Sequence, residues 1–230
     1  MRAYELTETP QYFYHGTSKE EAAKAILNSG KIIPGDHSGK SENNLTPIVN
    51  RAYITSDLGY ALIYALGGNY IGTKAAAKLS GYGYIFKIHK SSIKNRIPDE
   101  DKVGEITRDI ISGDDTHGFQ PNEIAELKSL VSYAFDFDII QPDYDEDARD
   151  LIIPAYDRFL DHEYEFFAAV GKYILSKGSK RLIASFRRIS PHHSGEGEMI
   201  IDGAWRFKKS DAAKMKKDGS NFFDYAIKIF

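Results

Sequence analysis

The sequence predicts an α+β fold, and the order of its segments is the main reason. Strand-like and helix-like segments alternate over residues 1–98, the middle reads as helical, and strand-like segments return near the C-terminus. A chain of 230 residues with 42% hydrophobic residues can bury a sizeable core. We therefore expect one domain over residues 1–230, with a helical insertion at about 99–178 and a sheet closed from both ends of the chain.

The N-terminal segments alternate between strands and helices. QYFYH predicts a strand, and EEAAKAILNS predicts a helix that begins at a capping box of Ser18 and Glu21 and ends at Gly30. KIIP is a short extended piece, and RAYITS predicts a second strand. DLGYALIYALGG then predicts a helix with Asp57 near its N-terminus, and GYIFKIH a further strand.

The C-terminal part predicts a return to strands. LIIPAYDRFLDHEYEFFAAVGKYILSK still carries apolar residues at helical spacing. After it, KRLIASFRR, EMII, AWRF and FDYAIKIF favour strands, while SPHHSGEGE is typical of a loop rich in Gly and Ser.

Composition excludes several classes of site. The absence of cysteine rules out disulfides, thiolate nucleophiles and zinc–cysteine sites. No apolar window is long enough to span a membrane, and MRAYELTETPQ lacks the apolar core of a secretory signal, so we expect a cytoplasmic protein or an injected effector. The net charge of -3 hides an acidic stretch at 99–165 and a basic one at 172–217. The basic stretch is either solvated surface or a binding region for a polyanion.

Three short motifs stand out when they are taken in order. YHGT places His15 at a strand end, and AYITSDLGYALIYA carries Tyr53 and Tyr64 eleven residues apart. SGEGEMIIDG carries Glu196 and Glu198 where a strand is predicted to begin. Each motif alone is common in ordinary cores and surfaces, but the ordered combination is much more specific.

This combination resembles the ADP-ribosyltransferase superfamily, in particular the branch with a His-Tyr-Glu triad that includes diphtheria toxin and the poly-ADP-ribose polymerases. YHGTSKEEAAKAILNSGKIIP is similar to the first strand and helix of that family, RAYITSDLGYALIYA to its second block, and EGEMIIDGAWRFK to its third. The resemblance covers about 1–98 and 180–230 and implies a split β-sheet core with a helical, acidic insertion. The E-x-E form is more usual in the branch with Arg on the first strand, so the chain mixes features of two branches.

The resemblance implies NAD as the substrate and a set of residues that bind it. Tyr53 and Tyr64 would stack on the nicotinamide ring. Gly16 would let the backbone pair with the carboxamide, and Thr17 would reach the same dinucleotide. His15 would donate a hydrogen bond to a ribose hydroxyl or hold it in place.

The same resemblance assigns the chemical step to acidic residues. Glu198 would stabilise the oxocarbenium-like ribose and act as base toward the incoming nucleophile, with His15 and Tyr53 completing the catalytic set. Glu196 would orient the acceptor. Arg51, just before Tyr53, is a candidate for the pyrophosphate, against the simpler reading of surface charge.

Other motifs are weaker. Glu163 and Glu165 form a second E-x-E, but in a segment that reads as a helix. His192 and His193 lack a defined third ligand, so no metal is expected. GGNYIG lacks the strand–GxGxxG–helix context of a Rossmann site.

The sequence therefore predicts a mono-ADP-ribosyltransferase of toxin, effector or toxin–antitoxin type that transfers ADP-ribose to a protein or nucleic acid. An inhibitory antitoxin or immunity protein is a possible partner, and no membrane partner is expected. An NAD glycohydrolase on the same fold, the related RNA 2′-phosphotransferase and a non-catalytic binding module are the alternatives.

Overall fold

The structure of the protein is a computed structural model, which describes residues 11–34, 51–136 and 163–230. The strands are β1 Tyr12–Thr17, β2 Lys31–Ile32, β3 Arg51–Thr55, β4 Tyr82–His89, β5 Lys94–Pro98, β6 His192–Glu196, β7 Met199–Lys208 and β8 Ala226–Lys228. The helices are α1 Glu20–Ser29, α2 Leu58–Ala65, α3 Glu100–Ser112, α4 Pro121–Asp136, α5 Glu163–Lys177 and α6 Lys180–Ile189. The mixed content and the antiparallel sheet confirm the α+β class.

Most predicted N-terminal elements are confirmed, but one cap is wrong. α1 ends at Gly30, whose φ of 68° lies in the left-handed region. The Asp57 side chain accepts from the N–H groups of Gly59 and Tyr60 and so caps α2. The predicted capping box at α1 does not form, because the cap position is Lys19 and no side chain caps this helix.

Two C-terminal predictions are also wrong. KRLIASFRR is a helix, α6, because Leu182 and Phe186 lie one turn apart on its buried face and Ser179 caps its first turn by accepting from the Leu182 N–H. HHSGE is not a loop but strand β6, whose first four residues are buried. The hydrogen bonds of β3 hold this polar segment in a strand despite its composition.

The sheet has the order β2-β7-β4-β1-β3-β6-β5, and β8 adds to β7. β1 and β4 pair along the whole of β1, and β3 and β6 pair along the whole of β3. In contrast, β1 and β3 share one register pair in the described residues, Tyr14 with Thr55. The sheet therefore parts between β1 and β3 just beyond that pair.

The connection between β6 and β7 shows how far the two parts bend. Only Gly197 and Glu198 separate these strands, although β3, β1 and β4 lie between them in the sheet. Four strand spacings in a flat sheet measure about 19 Å, but the three chain steps from Glu196 to Met199 reach at most about 11 Å. The half with β3 and β6 must therefore fold over the half with β1, β4 and β7.

An apolar core fills the space between these halves. Phe13 of β1 meets the ring of His193 on β6 edge-on, with 5.4 Å between ring centroids. A Cβ on Gly195 would lie 3.0 Å from Sδ of Met199, so β6 approaches the start of β7 closely. The same cluster includes Ala52 and Ile54 of β3 with Phe86 and Ile88 of β4, as well as Ala23 and Ile26 of α1.

The chain divides into two compact units. Among the described residues, one unit contains 11–34, 51–96 and 191–230 and the other contains 97–136 and 163–190. The helical unit has its own core around Val103, Leu127, Ile174 and Phe186. Its boundaries differ from the predicted 99–178, and the organisation of residues 1–230 as one domain stays a prediction.

Asp99 begins helix α3 and is a buried carboxyl group. It accepts from the N–H groups of Asp101, at 2.9 Å, and Lys102, at 3.4 Å. Burial, with smaller contributions from the neighbouring acids Asp101 and Glu100, raises the pKa of Asp99 to about 8. The folded protein therefore holds this proton at neutral pH, whereas the unfolded chain releases it near pH 4.

We expect the free energy of unfolding to fall as pH rises from 4 to 8, by up to about 1.4 kcal/mol per pH unit from Asp99. Asp99→Asn keeps an acceptor at the cap but does not titrate. The free energy of unfolding of this variant, measured by urea denaturation at pH 5 and pH 8, should therefore fall less with rising pH than that of the wild type. The control is Asp57→Asn, the same change at the cap of α2. Equal pH slopes in wild type and Asp99→Asn would show that Asp99 is ionised in the folded state.

Candidate functional site

His15 lies where β1 and β3 part. Its Nδ1 is 2.9 Å from the carbonyl oxygen of Tyr53, so this side chain bridges the opening. Burial lowers the pKa of His15, and the bond to Tyr53 opposes that effect only in part. The imidazole is therefore neutral at pH 7, and because a carbonyl can only accept, Nδ1 carries the proton. Nε2 is then an acceptor, which favours the second of the two predicted roles, holding a ribose hydroxyl in place, over donation to it.

The two predicted stacking tyrosines lie on one side of β3. Tyr53 is opposite Ser194 in the register, so both side chains share a face with His192, two residues before Ser194. The His192 ring lies 4.2 Å from the ring of Tyr60 on α2, which identifies that face as the one toward α2. Tyr64 follows Tyr60 by one helical turn and is 54% exposed.

His15 faces the other side. It is paired with Phe86 of the apolar core, so its side chain points to the core face of β1. His15 therefore meets Tyr53 at the backbone, while the phenol ring of Tyr53 lies across the strand with α2.

Gly16 and Thr17 continue β1 beyond His15. A Cβ on Gly16 would overlap the carbonyl oxygen of Ala61, so α2 packs directly on this glycine. The Thr17 hydroxyl accepts from the Lys19 N–H at 3.2 Å. Packing thus accounts for Gly16 without a ligand, and its predicted contact with a carboxamide stays a prediction.

Glu196, at the end of β6, is held by contacts from the two neighbouring strands, β3 and β5. Its carboxylate accepts from the guanidinium of Arg51 and from Nδ2 of Asn95, the latter at 2.6 Å. Arg51 also donates to the carbonyl oxygen of Asn95 at 2.9 Å. Since Arg51 is only 8% exposed and bound here, its predicted contact with a pyrophosphate would require this cluster to open.

Asn95 was not predicted from the sequence. Its φ of 44° is in the left-handed region, which Asn tolerates better than most residues, and this backbone turns both its amide and its carbonyl toward the Arg51–Glu196 pair. An isolated Asn in KNR carries no pattern that would have identified it.

Glu198 is in a different environment from Glu196. The prediction that both glutamates open one strand is wrong, because Glu196 ends β6 and Gly197, with a φ of 69°, turns the chain before β7 begins at Met199. Glu198 lies in this turn, where its 55% exposed carboxylate pairs with Nζ of Lys31 at 2.5 Å. Such an exposed pair contributes little to stability and can be exchanged for another partner.

The structure thus joins some predicted site residues and separates others. His15 is bound to β3 at Tyr53, and Tyr53 and Tyr64 share a side of that strand. In the described contacts, neither Glu196 nor Glu198 reaches His15. The side chains of the rival pair, Glu163 and Glu165, lie outside the part of the chain that is described.

Two further findings concern the polar core of this region. The Ser194 hydroxyl, opposite Tyr53, is fully buried and makes no hydrogen bond in the described residues. His192 and His193 pack against aromatic rings, and the described residues contain no cluster of three metal-ligating side chains.

The described helices also include none that is long and apolar enough to cross a membrane.

Comparison with known proteins adds no relative: no family model matches the chain, and no match was found among curated proteins or solved structures.

Gly16→Ala tests the contact between β1 and α2. The added methyl group overlaps the backbone of Ala61, so we expect a loss of about 1–3 kcal/mol in the free energy of unfolding. Urea denaturation measures it. The control is Ser18→Ala, two residues after Gly16. Gly81→Ala would not serve as a control, because the positive φ of Gly81 would strain an alanine at that position. A Gly16→Ala protein as stable as wild type would contradict this packing.

Proposed function

We propose that the protein is an NAD-dependent mono-ADP-ribosyltransferase of toxin or effector type, acting on a macromolecular acceptor. The observation that carries the proposal is the parting of β1 and β3 at His15. The resemblance of three sequence motifs implied a split sheet with a histidine on its first strand. An antiparallel sheet that opens beside that histidine supports the ADP-ribosyltransferase fold.

The aromatic residues suit the nicotinamide end of NAD. Tyr53 and Tyr64 share a side of β3, and the exposure of Tyr64 leaves one ring accessible. Two such rings can stack on the flat, electron-poor nicotinamide. The His15 side chain lies on the other side from the two rings, so NAD would have to pass through the opening between β1 and β3 to reach it. There neutral His15 offers Nε2 as an acceptor for a ribose hydroxyl, and at lower pH protonation would remove that acceptor.

The two glutamates suit different tasks. Loss of nicotinamide leaves positive charge on the ribose, which a carboxylate close by stabilises. Glu198 is the better candidate, since its exposed pair with Lys31 can be exchanged for the ribose. Glu196, fixed by Arg51 and Asn95, is suited to orient an acceptor or to hold the turn that carries Glu198.

Release of nicotinamide from NAD tests the proposal. Glu198→Gln keeps the size of the side chain but removes its charge, and we expect turnover to fall about 10²–10³-fold. Asp202→Asn is the matched control, because Asp202 is a similarly exposed carboxylate on β7 that pairs with Lys87 at 3.8 Å. It should retain wild-type turnover.

The products separate the related functions. Labelled macromolecule indicates transfer, whereas free ADP-ribose with no labelled macromolecule indicates the glycohydrolase. No nicotinamide release by wild type, with or without cell lysate, refutes both. Full activity in Glu198→Gln with loss in Glu165→Gln would move the catalytic carboxylate to the rival E-x-E.

A further inference from the structure

A lysine-rich surface lies next to the end of β1. We define it as residues 70–82 and 206–217, two segments that are joined by backbone hydrogen bonds. The N–H of Gly72 donates to the carbonyl of Ala212 at 2.9 Å, and the N–H of Lys209 donates to the carbonyl of Gly81 at 3.1 Å. β4 and β7 continue the contact, with Tyr82 opposite Lys208. The two segments are thus neighbours. Tyr82, Arg206 and Lys208 alternate with Phe207, which packs with Ile71, Ala76, Ala212 and Met215, so their side chains lie on the opposite face of the strands and the surface wraps around this end of β4 and β7.

The charge of the lysine-rich surface is one-sided. It contains one carboxylate, Asp211, which pairs with Lys214 at 2.8 Å. Against it stand eight cationic residues: Lys74, Lys78, Arg206, Lys208, Lys209, Lys214, Lys216 and Lys217. Because the whole chain has a net charge of -3, this concentration of positive charge is not a consequence of average composition.

Exposed aromatic rings accompany these cations. Tyr70 is 68% exposed, and Tyr82 is 39% exposed beneath the guanidinium of Arg206, which lies 4.6 Å from the ring centroid. Lysines that track a phosphate backbone and open rings on which bases stack are the combination that binds single-stranded nucleic acid. Duplex DNA and an anionic membrane would use the charge but offer no unstacked base to the rings.

The lysine-rich surface also lies close to the proposed NAD site. Nζ of Lys209 donates to the carbonyl oxygen of Ser18 at 3.5 Å. The Ser18 side chain in turn lies next to Gly67, where an added Cβ would be 3.5 Å from the Ser18 hydroxyl oxygen. Ser18 directly follows Thr17, the last residue of β1. A nucleic-acid strand bound to this surface would therefore pass the end of β1, two to three residues along the chain from His15.

We propose that the lysine-rich surface binds single-stranded RNA or DNA. The use of the bound nucleic acid as the acceptor of ADP-ribose rests on the proposed transferase function, whereas the binding of nucleic acid does not. In the transfer, the bond from ribose C1′ to nicotinamide breaks and neutral nicotinamide leaves. A nitrogen or oxygen of the nucleic acid forms the new bond to C1′, and its proton passes to Glu198 and then to solvent.

Fluorescence anisotropy of labelled 20-nucleotide RNA and DNA, without NAD, tests binding by the full chain across a range of salt concentrations. We compare wild type with two variants that each change four lysines to glutamine and so carry the same net charge. The surface variant changes Lys74, Lys78, Lys208 and Lys216. The control variant changes four exposed lysines elsewhere: Lys90, Lys128, Lys177 and Lys180.

The surface variant should bind at least about tenfold more weakly, and its slope of log affinity against log salt should be smaller by up to about 3. The control variant should match wild type. Tyr70→Ala should weaken binding of the single strand at least about fivefold and leave binding of a duplex of the same sequence unchanged. Circular dichroism establishes that the variants are folded.

Three results would overturn the inference. They are equal loss in the surface and control variants, tighter binding of the duplex than of the single strand, and binding to phosphatidylserine vesicles without binding to either oligonucleotide. If binding succeeds but labelled NAD transfers no label to the RNA or DNA while nicotinamide is still released, the acceptor role fails and the proposed NAD chemistry stands. Binding with no nicotinamide release refutes the transferase and leaves the nucleic-acid surface intact.

Discussion

The two-residue connection between β6 and β7 is the constraint on which the described β-rich unit depends. Gly197 and Glu198 join strands that three others separate in the sheet, and so few residues cannot cross a flat sheet. The sheet has to bend, and it does so where β1 and β3 share the single pair of Tyr14 and Thr55. One short turn therefore creates both the enclosed apolar core and the opening beside His15.

The polar residues of this unit differ in how firmly they are held. Glu196 is fixed by Arg51 and Asn95, so its position is part of the structure. Glu198, two residues further on in the turn between β6 and β7, has one exposed partner in the described residues and can leave it at little cost. Two acids separated only by Gly197 therefore differ in how readily their carboxylates can take a new partner.

Local pattern was enough to predict much of the fold. The helices α1 and α2 and the strands β1, β3 and β4 follow from periodicity and from the end signals at Asp57 and Gly30, because these are short-range effects. Contacts between segments distant in the chain determine the elements that the local sequence does not predict. β6 is a strand because β3 binds it, although HHSGE has low strand propensity. α6 was misassigned because its apolar residues also suit a short strand, and length and capping decide between the two.

The candidate site was predictable in its motifs but not in its contacts. The motif YHGT and the spacing of Tyr53 and Tyr64 suggested these site residues, which stay predictions. Asn95 and Ser194 gave no sequence signal because their contacts come from strands distant in the chain. Burial lowers the pKa of His15, and a carbonyl 38 residues away decides which ring nitrogen carries the proton, so neither property follows from the local sequence.

A crystal structure of the Glu198→Gln protein with NAD would show directly whether NAD binds at the opening between β1 and β3. We expect the nicotinamide ring between the rings of Tyr53 and Tyr64, with centroid distances of about 4.5–7 Å. We also expect a ribose hydroxyl within hydrogen-bond distance of Nε2 of His15. NAD bound away from the opening between β1 and β3, or a nicotinamide that contacts neither tyrosine, would contradict this expectation.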